Sequence, residues 1–240
     1  MGRATAEQFA AEGADVGMCA RSGPTLQAAA DSVRAHGVRV VATQADVSDA
    51  EQTRLAVERT IAELGRLDVL VVNAGGPLRA TFDELDDDRW EAAHQLTFMS
   101  AVHLIRAALP ALRESDSAAI LFISSTSVKQ PIGGLTLSNA IRGSISGLAK
   151  TLSNELAPQI RVNSLLPGWI RTDRQIETAR ASNVTDLDAY FANVGRGTPL
   201  GRVGEPEEIA RVAVFLCSPA ASFITGASLA VDGGQIQSVV

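Results

Sequence analysis

The residues able to do chemistry gather between positions 123 and 150, ISSTSVKQPIGGLTLSNAIRGSISGLAK. An apolar run over 118–123 delivers Ser124 and Ser125 to its end, and a loop through Pro131, Gly133 and Gly134 leads into a helical pattern. Ser138 and Arg142 stand one helical turn apart, so their side chains share a face. Two hydroxyls and a guanidinium in one place can hydrogen-bond and polarise a substrate oxygen. On the same helix Ile141, Ile145, Leu148 and Leu152 repeat at intervals of four, three and four, which is one buried stripe.

The elements that must position this segment alternate along the chain. Gly2 opens a helical pattern over 3–11, residues 13–19 form a short strand, 26–35 a helix and 38–44 a strand. A helix striped by Val57, Ile61 and Leu64 precedes a buried parallel strand over 67–72. An acidic loop (Asp83, Glu84, Asp86, Asp87, Asp88) and Trp90 lead into one long helix striped by Val102, Ile105, Leu109 and Leu112. After the reactive segment come a strand over 160–166, polar helical pieces over 172–197, a helix capped by Pro206, Glu207 and Glu208, and a last strand ending at Val231. This order predicts an α/β fold: a single doubly wound, Rossmann-like domain over residues 2–240 with a parallel sheet.

Composition narrows the function classes. At 240 residues and 46% hydrophobic content, one domain with its own core is expected. No apolar run reaches the length of a membrane span and Met1-Gly2-Arg3-Ala4 begins no signal peptide, so a cytoplasmic protein is expected. The net charge of -6 argues against non-specific nucleic-acid binding. Cys19 and Cys217 have neither metal-site spacing nor an expected disulfide, and no metal is expected. Gly2 reads as the last glycine of a Gly-rich turn that binds a pyrophosphate at a helix N-terminus. The strand and glycines expected before it are absent, so the native product is expected to be longer by about 10 to 15 residues, one strand and turn.

The segment resembles the core of the short-chain dehydrogenase/reductase family, in which a strand-end Ser is followed thirteen residues later by Tyr and four after that by Lys. Counting from Ser125 gives Ser138 and then Arg142, with Gly147-Leu148-Ala149-Lys150 supporting the register. Asn73-Ala74-Gly75 matches the family's Asn-Ala-Gly motif, and Pro167-Gly168-Trp169-Ile170-Arg171-Thr172 its Pro-Gly turn. The likeness runs from Gly2 to the C-terminus.

The resemblance implies a nicotinamide cofactor held by Gly2, Asp46, Val47, Asn73, Ala74, Gly75, Arg142, Pro167, Gly168, Ile170 and Thr172. Where the first βα unit of such folds places an acid to bind the ribose, this chain has Ala20 followed by Arg21, which favours NADP(H) over NAD(H). Arg21 as a solvated surface residue and Asp46 as a plain helix cap are the simpler readings of each alone. Thr97 takes the place of the family's Asn, which supports the catalytic Lys through water. With Ser125, Ser138 and Arg142 it completes the expected catalytic set. A serine hydroxyl cannot be the acid that a phenol of pKa ~10 is, and a guanidinium above about 12 does not relay protons as an ammonium does.

The expected function is an NADP(H)-dependent oxidoreductase reducing a carbonyl or conjugated enoyl substrate with an altered proton path. Relatives that reduce dienoyl thioesters carry Ser at the Tyr position but keep Lys. The alternatives are a cofactor-binding, redox-inactive partner or scaffold, and a lyase or cyclase. The apolar stripe on the 138–156 helix, together with the resemblance, implies a homotetramer or homodimer binding a small-molecule substrate. Tyr190, the only tyrosine, is expected to pack, and His94 and His103 to pack or face solvent.

Overall fold

In the computed structural model, which describes residues 1–238, the chain runs α1 (Gly2–Ala11), β1 (Val16–Ala20), α2 (Gly23–Arg34), β2 (Val40–Gln44), α3 (Ala50–Leu64), β3 (Val69–Val72), α4 (Asp87–His94) and α5 (Ser100–Arg113). It continues through β4 (Ala119–Ile123), α6 (Thr136–Glu155), β5 (Arg161–Pro167), α7 (Asp173–Ala181), α8 (Leu187–Gly195), α9 (Pro206–Cys217) and β6 (Ser228–Val231). Local chemistry sets the helix ends. The Asp49 carboxylate accepts from the backbone of Glu51 and Gln52 to start α3, and Gly65 ends it at φ 86°, a left-handed turn that favours glycine. Pro206 and the reciprocal Glu205–Glu208 capping box start α9.

Every strand pairing is parallel. β4 is buried at all its positions and β5 at all but the first, as strands covered by helices on both faces must be. Ile120 and Phe122 point to the α5–α6 side with Leu112, Ile145 and Val162, while Leu121 and Leu165 point to α9 with Ile209, Ala213 and Leu216. The α6 stripe is used within the chain: Ile145, Leu148 and Leu152 join the larger cluster and Ile141 packs with Leu137 and Ala93. Leu148 and Leu152 are only partly buried there. The fully exposed Phe223 and the partly exposed Phe215 and Leu229 lie at or near α9 and β6.

Two features depart from a simple doubly wound sheet. The strands form a pair, β1–β2, and a separate four-stranded sheet in the order β3-β4-β5-β6. β1 and β3 thus each have an edge without a strand partner. Helices bridge the two sheets: α1 packs on β1, α2 and α9, and α3 on β1, β2 and α5. The long helix expected after Trp90 is interrupted, with a π-helical segment over Gln95–Met99 between α4 and α5. Such insertions occur often at functional sites.

Candidate active site

β3, β4 and β5 end side by side, and their carboxyl ends carry the predicted site residues. Ser124 extends the ladder beyond β4, its N–H donating to the Leu165 carbonyl at 2.8 Å. The Ser125 hydroxyl accepts from the Ser127 N–H at 3.1 Å and so caps the 3-10 turn Thr126–Val128. Ser138 lies on the inner face of α6, 8% exposed. One turn on, Arg142 reaches back to the strand end, where Nη1 donates to the carbonyls of Ile123 and Ser124, each at 3.3 Å. The structure thus brings Arg142 to the residue next to Ser125, with Ser138 on the same helix face.

Burial, and then the charge of Arg174, pull the Arg142 guanidinium down to about 10. The direction is down from the sequence expectation, and Arg142 remains a cation at neutral pH. Thr97 sits in the π-helical segment, buried, and its Oγ1 has no hydrogen-bond partner among the described residues. Ser124 Oγ is buried and unpartnered in the same sense. Buried hydroxyls are rarely left so, and each is a place for a bound molecule or water to bond.

The cofactor-side residues also converge. A Cβ on Gly2 would stand 2.8 Å from Asn73 Nδ2, so the start of α1 lies close to the side chain that follows β3. Gly75 beyond it is exposed, with open space where a side chain would be. Gly168 follows β5 so close to Asp232 that a Cβ would fall 2.7 Å from that side chain. Pro167 pairs with Val231, Ile170 is buried and bridges to Gly204, and the Thr172 hydroxyl accepts from the Gln175 N–H at 3.3 Å to cap α7. At the other sheet Arg21 is exposed at the end of β1, and its carbonyl accepts from Gln44 Nε2 at 2.9 Å. Hydrogen bonds from the Ser48 hydroxyl and backbone hold the Asp46 carboxyl below its ordinary value, helped by the nearby Arg21 charge. Asp46 therefore makes a tight turn, and the Val47 carbonyl accepts from Thr53 Oγ1.

Sequence reasoning missed Arg174. From the first turn of α7 its Nη1 donates to the Gly76 carbonyl and its Nη2 to that of Pro77 at 2.7 Å, which ties α7 to the loop after β3. Its signal was a cation two residues beyond Thr172. Ser22, which caps α2 beside Arg21, was also passed over. Tyr190 packs edge-on against Phe191, ring centroids 5.2 Å apart, and makes no hydrogen bond to Ser125, Ser138 or Arg142. His94 stacks on Phe98 at 5.3 Å. Burial raises both thiols, that of Cys217 to about 12, as expected of cysteines acting as small apolar residues. No cluster of metal-ligating side chains occurs among the described residues. None of their helices is long and apolar enough to cross a membrane.

Parallel strands with small residues and turns at their carboxyl ends define a doubly wound α/β protein, a fold class whose ligands sit at those ends. The comparisons with known proteins make this specific. A family model described as enoyl-(acyl carrier protein) reductase matches residues 1–235. A chloroplastic tropinone reductase homologue of Arabidopsis thaliana is 35% identical over 98% of this chain and 72% of its own length. A short-chain oxidoreductase from Pseudomonas aeruginosa PAO1, solved with NADPH and containing an atypical catalytic centre, superposes with a TM-score of 0.93 at 35% identity, over 99% of this chain and 93% of that one. L-sorbose reductase from Gluconobacter frateurii, complexed with NADPH and L-sorbose, gives 0.93 at 34% identity over 98% and 92%. The chain belongs to the short-chain dehydrogenase/reductase family.

Proposed function

We propose that this protein is an NADP(H)-dependent oxidoreductase that reduces a carbonyl or conjugated enoyl group, with Ser125, Ser138 and Arg142 in place of the usual proton-donating pair. The observation that carries the reading is Arg142, a cation reaching from α6 to the Ser124 carbonyl beside Ser125. The P. aeruginosa relative, which holds NADPH and has an atypical centre of its own, supports it. The residues present fit the cofactor: the open space at Gly75 leaves room at the strand end, and Thr97 Oγ1 offers an unused donor and acceptor. Gly2, Asn73, Ala74 and Gly75 would line the cofactor, Pro167, Gly168, Ile170 and Thr172 its nicotinamide end, and Arg21, Asp46 and Val47 its adenosine end.

When bound, NADPH supplies hydride. The chain's own residues act on the oxygen that gains negative charge: Arg142 stabilises it and Ser138 and Ser125 hydrogen-bond it. The Ser125 lone pair that caps the turn is used by an N–H, which leaves its proton free to point at the substrate. The proton comes from water or substrate, since an alcohol is too weak an acid. Thr97 holds a water in place of the family's Asn. A second reading, binding without turnover, is favoured by the same substitution, because loss of a general acid typically removes roughly 10²- to 10⁴-fold in rate.

We further infer that a strand ending in a glycine turn pairs with the free edges of β1 and β3, because unpaired backbone groups on strand edges are costly. Fluorescence titration with NADPH, on this chain and on one extended by that strand, is followed by NADPH oxidation over a panel of carbonyl and enoyl substrates. Binding with turnover supports the reductase, binding alone the scaffold, and no binding by either chain refutes both. Combining Ser138→Tyr with Arg142→Lys is expected to raise carbonyl reduction.

A further inference from the structure

The chain carries a net charge of -6, yet arginines gather at the carboxyl ends of β3 and β4. Arg142 and Arg174 flank the ends of adjacent strands, one bonded to Ile123 and Ser124 beyond β4, the other to Gly76 and Pro77 beyond β3. After burial, the charge of Arg174 adds to the lowering of Arg142, and that of Arg79, exposed on the loop after β3, adds to the lowering of Arg174. Among the described residues none of these three forms an ion pair. The acid whose charge reaches Arg174 is Glu177, one turn along α7.

Other arginines of the chain are used differently. Arg161 is a structural cation whose two terminal nitrogens are taken up by the carbonyls of Leu216, Ile224 and Ser218. Arg142 bonds through Nη1 alone, at the long distance of 3.3 Å, and its Nε and Nη2 have no hydrogen bond among the described residues. Arg142, Arg174 and Arg79 outnumber the one carboxylate whose charge reaches Arg174, that of Glu177, and partial burial makes the repulsion among them stronger. A bound oxyanion would relieve it, and the guanidinium fork matches a carboxylate or a phosphate.

We propose that the substrate carries an anionic group, a carboxylate or a phosphate, which Arg174 binds with Arg79 beside it, next to the reacting oxygen that Arg142 holds. This rests on the reductase reading and narrows its substrate class to charged oxo or enoyl compounds. On binding, Arg174 exchanges its carbonyl partners at Gly76 and Pro77 for the anion, so α7 is positioned by the substrate itself.

The test compares matched pairs: a 2-oxo acid against its amide, and a phosphorylated ketone against the free hydroxyketone. The expected result is a kcat/KM at least about 10-fold higher for the anionic member of one pair or both, the range a charge-assisted hydrogen bond gives. Which pair shows it tells carboxylate from phosphate. Arg174→Gln is expected to bring that ratio close to one through KM, with the NADPH Kd unchanged, whereas Arg180→Gln on the same helix leaves the ratio intact. Equal handling of charged and neutral members overturns the proposal. So does an Arg174→Gln variant that loses NADPH affinity instead, since that guanidinium then serves the cofactor. If nothing turns over, thermal stabilisation by the oxo acid or by inorganic phosphate is measured with and without Arg174→Gln. A shift that the substitution abolishes sustains the anion site while the reductase reading falls, and no shift refutes the site.

Discussion

β4 and the pair β1–β2 are built from similar apolar runs but sit in different surroundings. β4 lies between two helical layers and is buried at all its positions, whereas β1 has no fully buried position and β2 has one. β4 and β5 support Ser125, Arg142 and the Pro167–Thr172 turn, and their packing fixes those groups. The pair presents Arg21, Ser22 and Asp46 from partly exposed strand ends that helices, not neighbouring strands, attach to the rest. In the proposed reading, the nicotinamide half of the cleft is preorganised and the adenosine half is held by surface polar groups. The reacting end demands the stricter geometry.

The sharpest way to break this comparison is to cut equal holes in both sheets. Phe122→Ala is expected to cost about 3–5 kcal/mol, the range for emptying an aromatic site in a closed core, since Phe122 is 1% exposed. Met18→Ala in β1 is expected to cost less than half as much, because its site is open to solvent on one side. Urea midpoints for both variants decide it, and equal losses would mean that the pair is as well packed as the main sheet. A smaller effect is expected at the adenosine end. Arg21→Ala should weaken NADPH binding about 10- to 100-fold, as loss of a charge-assisted phosphate contact does, and leave NADH binding nearly unchanged. An equal loss for both cofactors would place Arg21 away from the 2'-phosphate.

The alternation of strands and helices was legible because each buried strand is a short apolar run and each helix a 3.6-residue stripe. The Asn73-Ala74-Gly75 loop, the Pro167-Gly168 turn and the pairing of Ser138 with Arg142 were legible through the family resemblance, with their spacing consistent with strand ends and one helix face. What was not legible depends on through-space relations. The π-helical segment at Thr97 changes no stripe enough to show in sequence. Arg174 meets Gly76 across 98 positions of chain. The lowering of Arg142 comes from packing and from a second cation on another helix. The split of the sheet follows from which strands are neighbours, which the order of strands in the sequence does not state.

The smallest expected effect tests how the nicotinamide half is fastened. Arg202 donates to both oxygens of Glu208 at 2.7 Å, and Glu208 also accepts from the Glu205 N–H at 2.9 Å. Between them Gly204 donates to the Trp169 carbonyl and accepts from the Arg171 N–H, so this clasp holds the turn that carries Ile170 and Thr172. Arg202 first, and then the Glu205 backbone, hold the Glu208 carboxyl at about 2, below its ordinary value of 4.5. A carboxyl depressed on folding stabilises the native state above its unfolded pKa, and that contribution is lost as pH falls through the folded one. Glu208→Gln should therefore lower the urea midpoint at pH 7, with the deficit full above about 4.5 and shrinking towards pH 2. Because the pair is exposed to solvent and screened, the deficit is expected to be small. A deficit that stays constant on acidification would show that Glu208 acts through its shape in the capping box, since charge would then have no part in holding the turn.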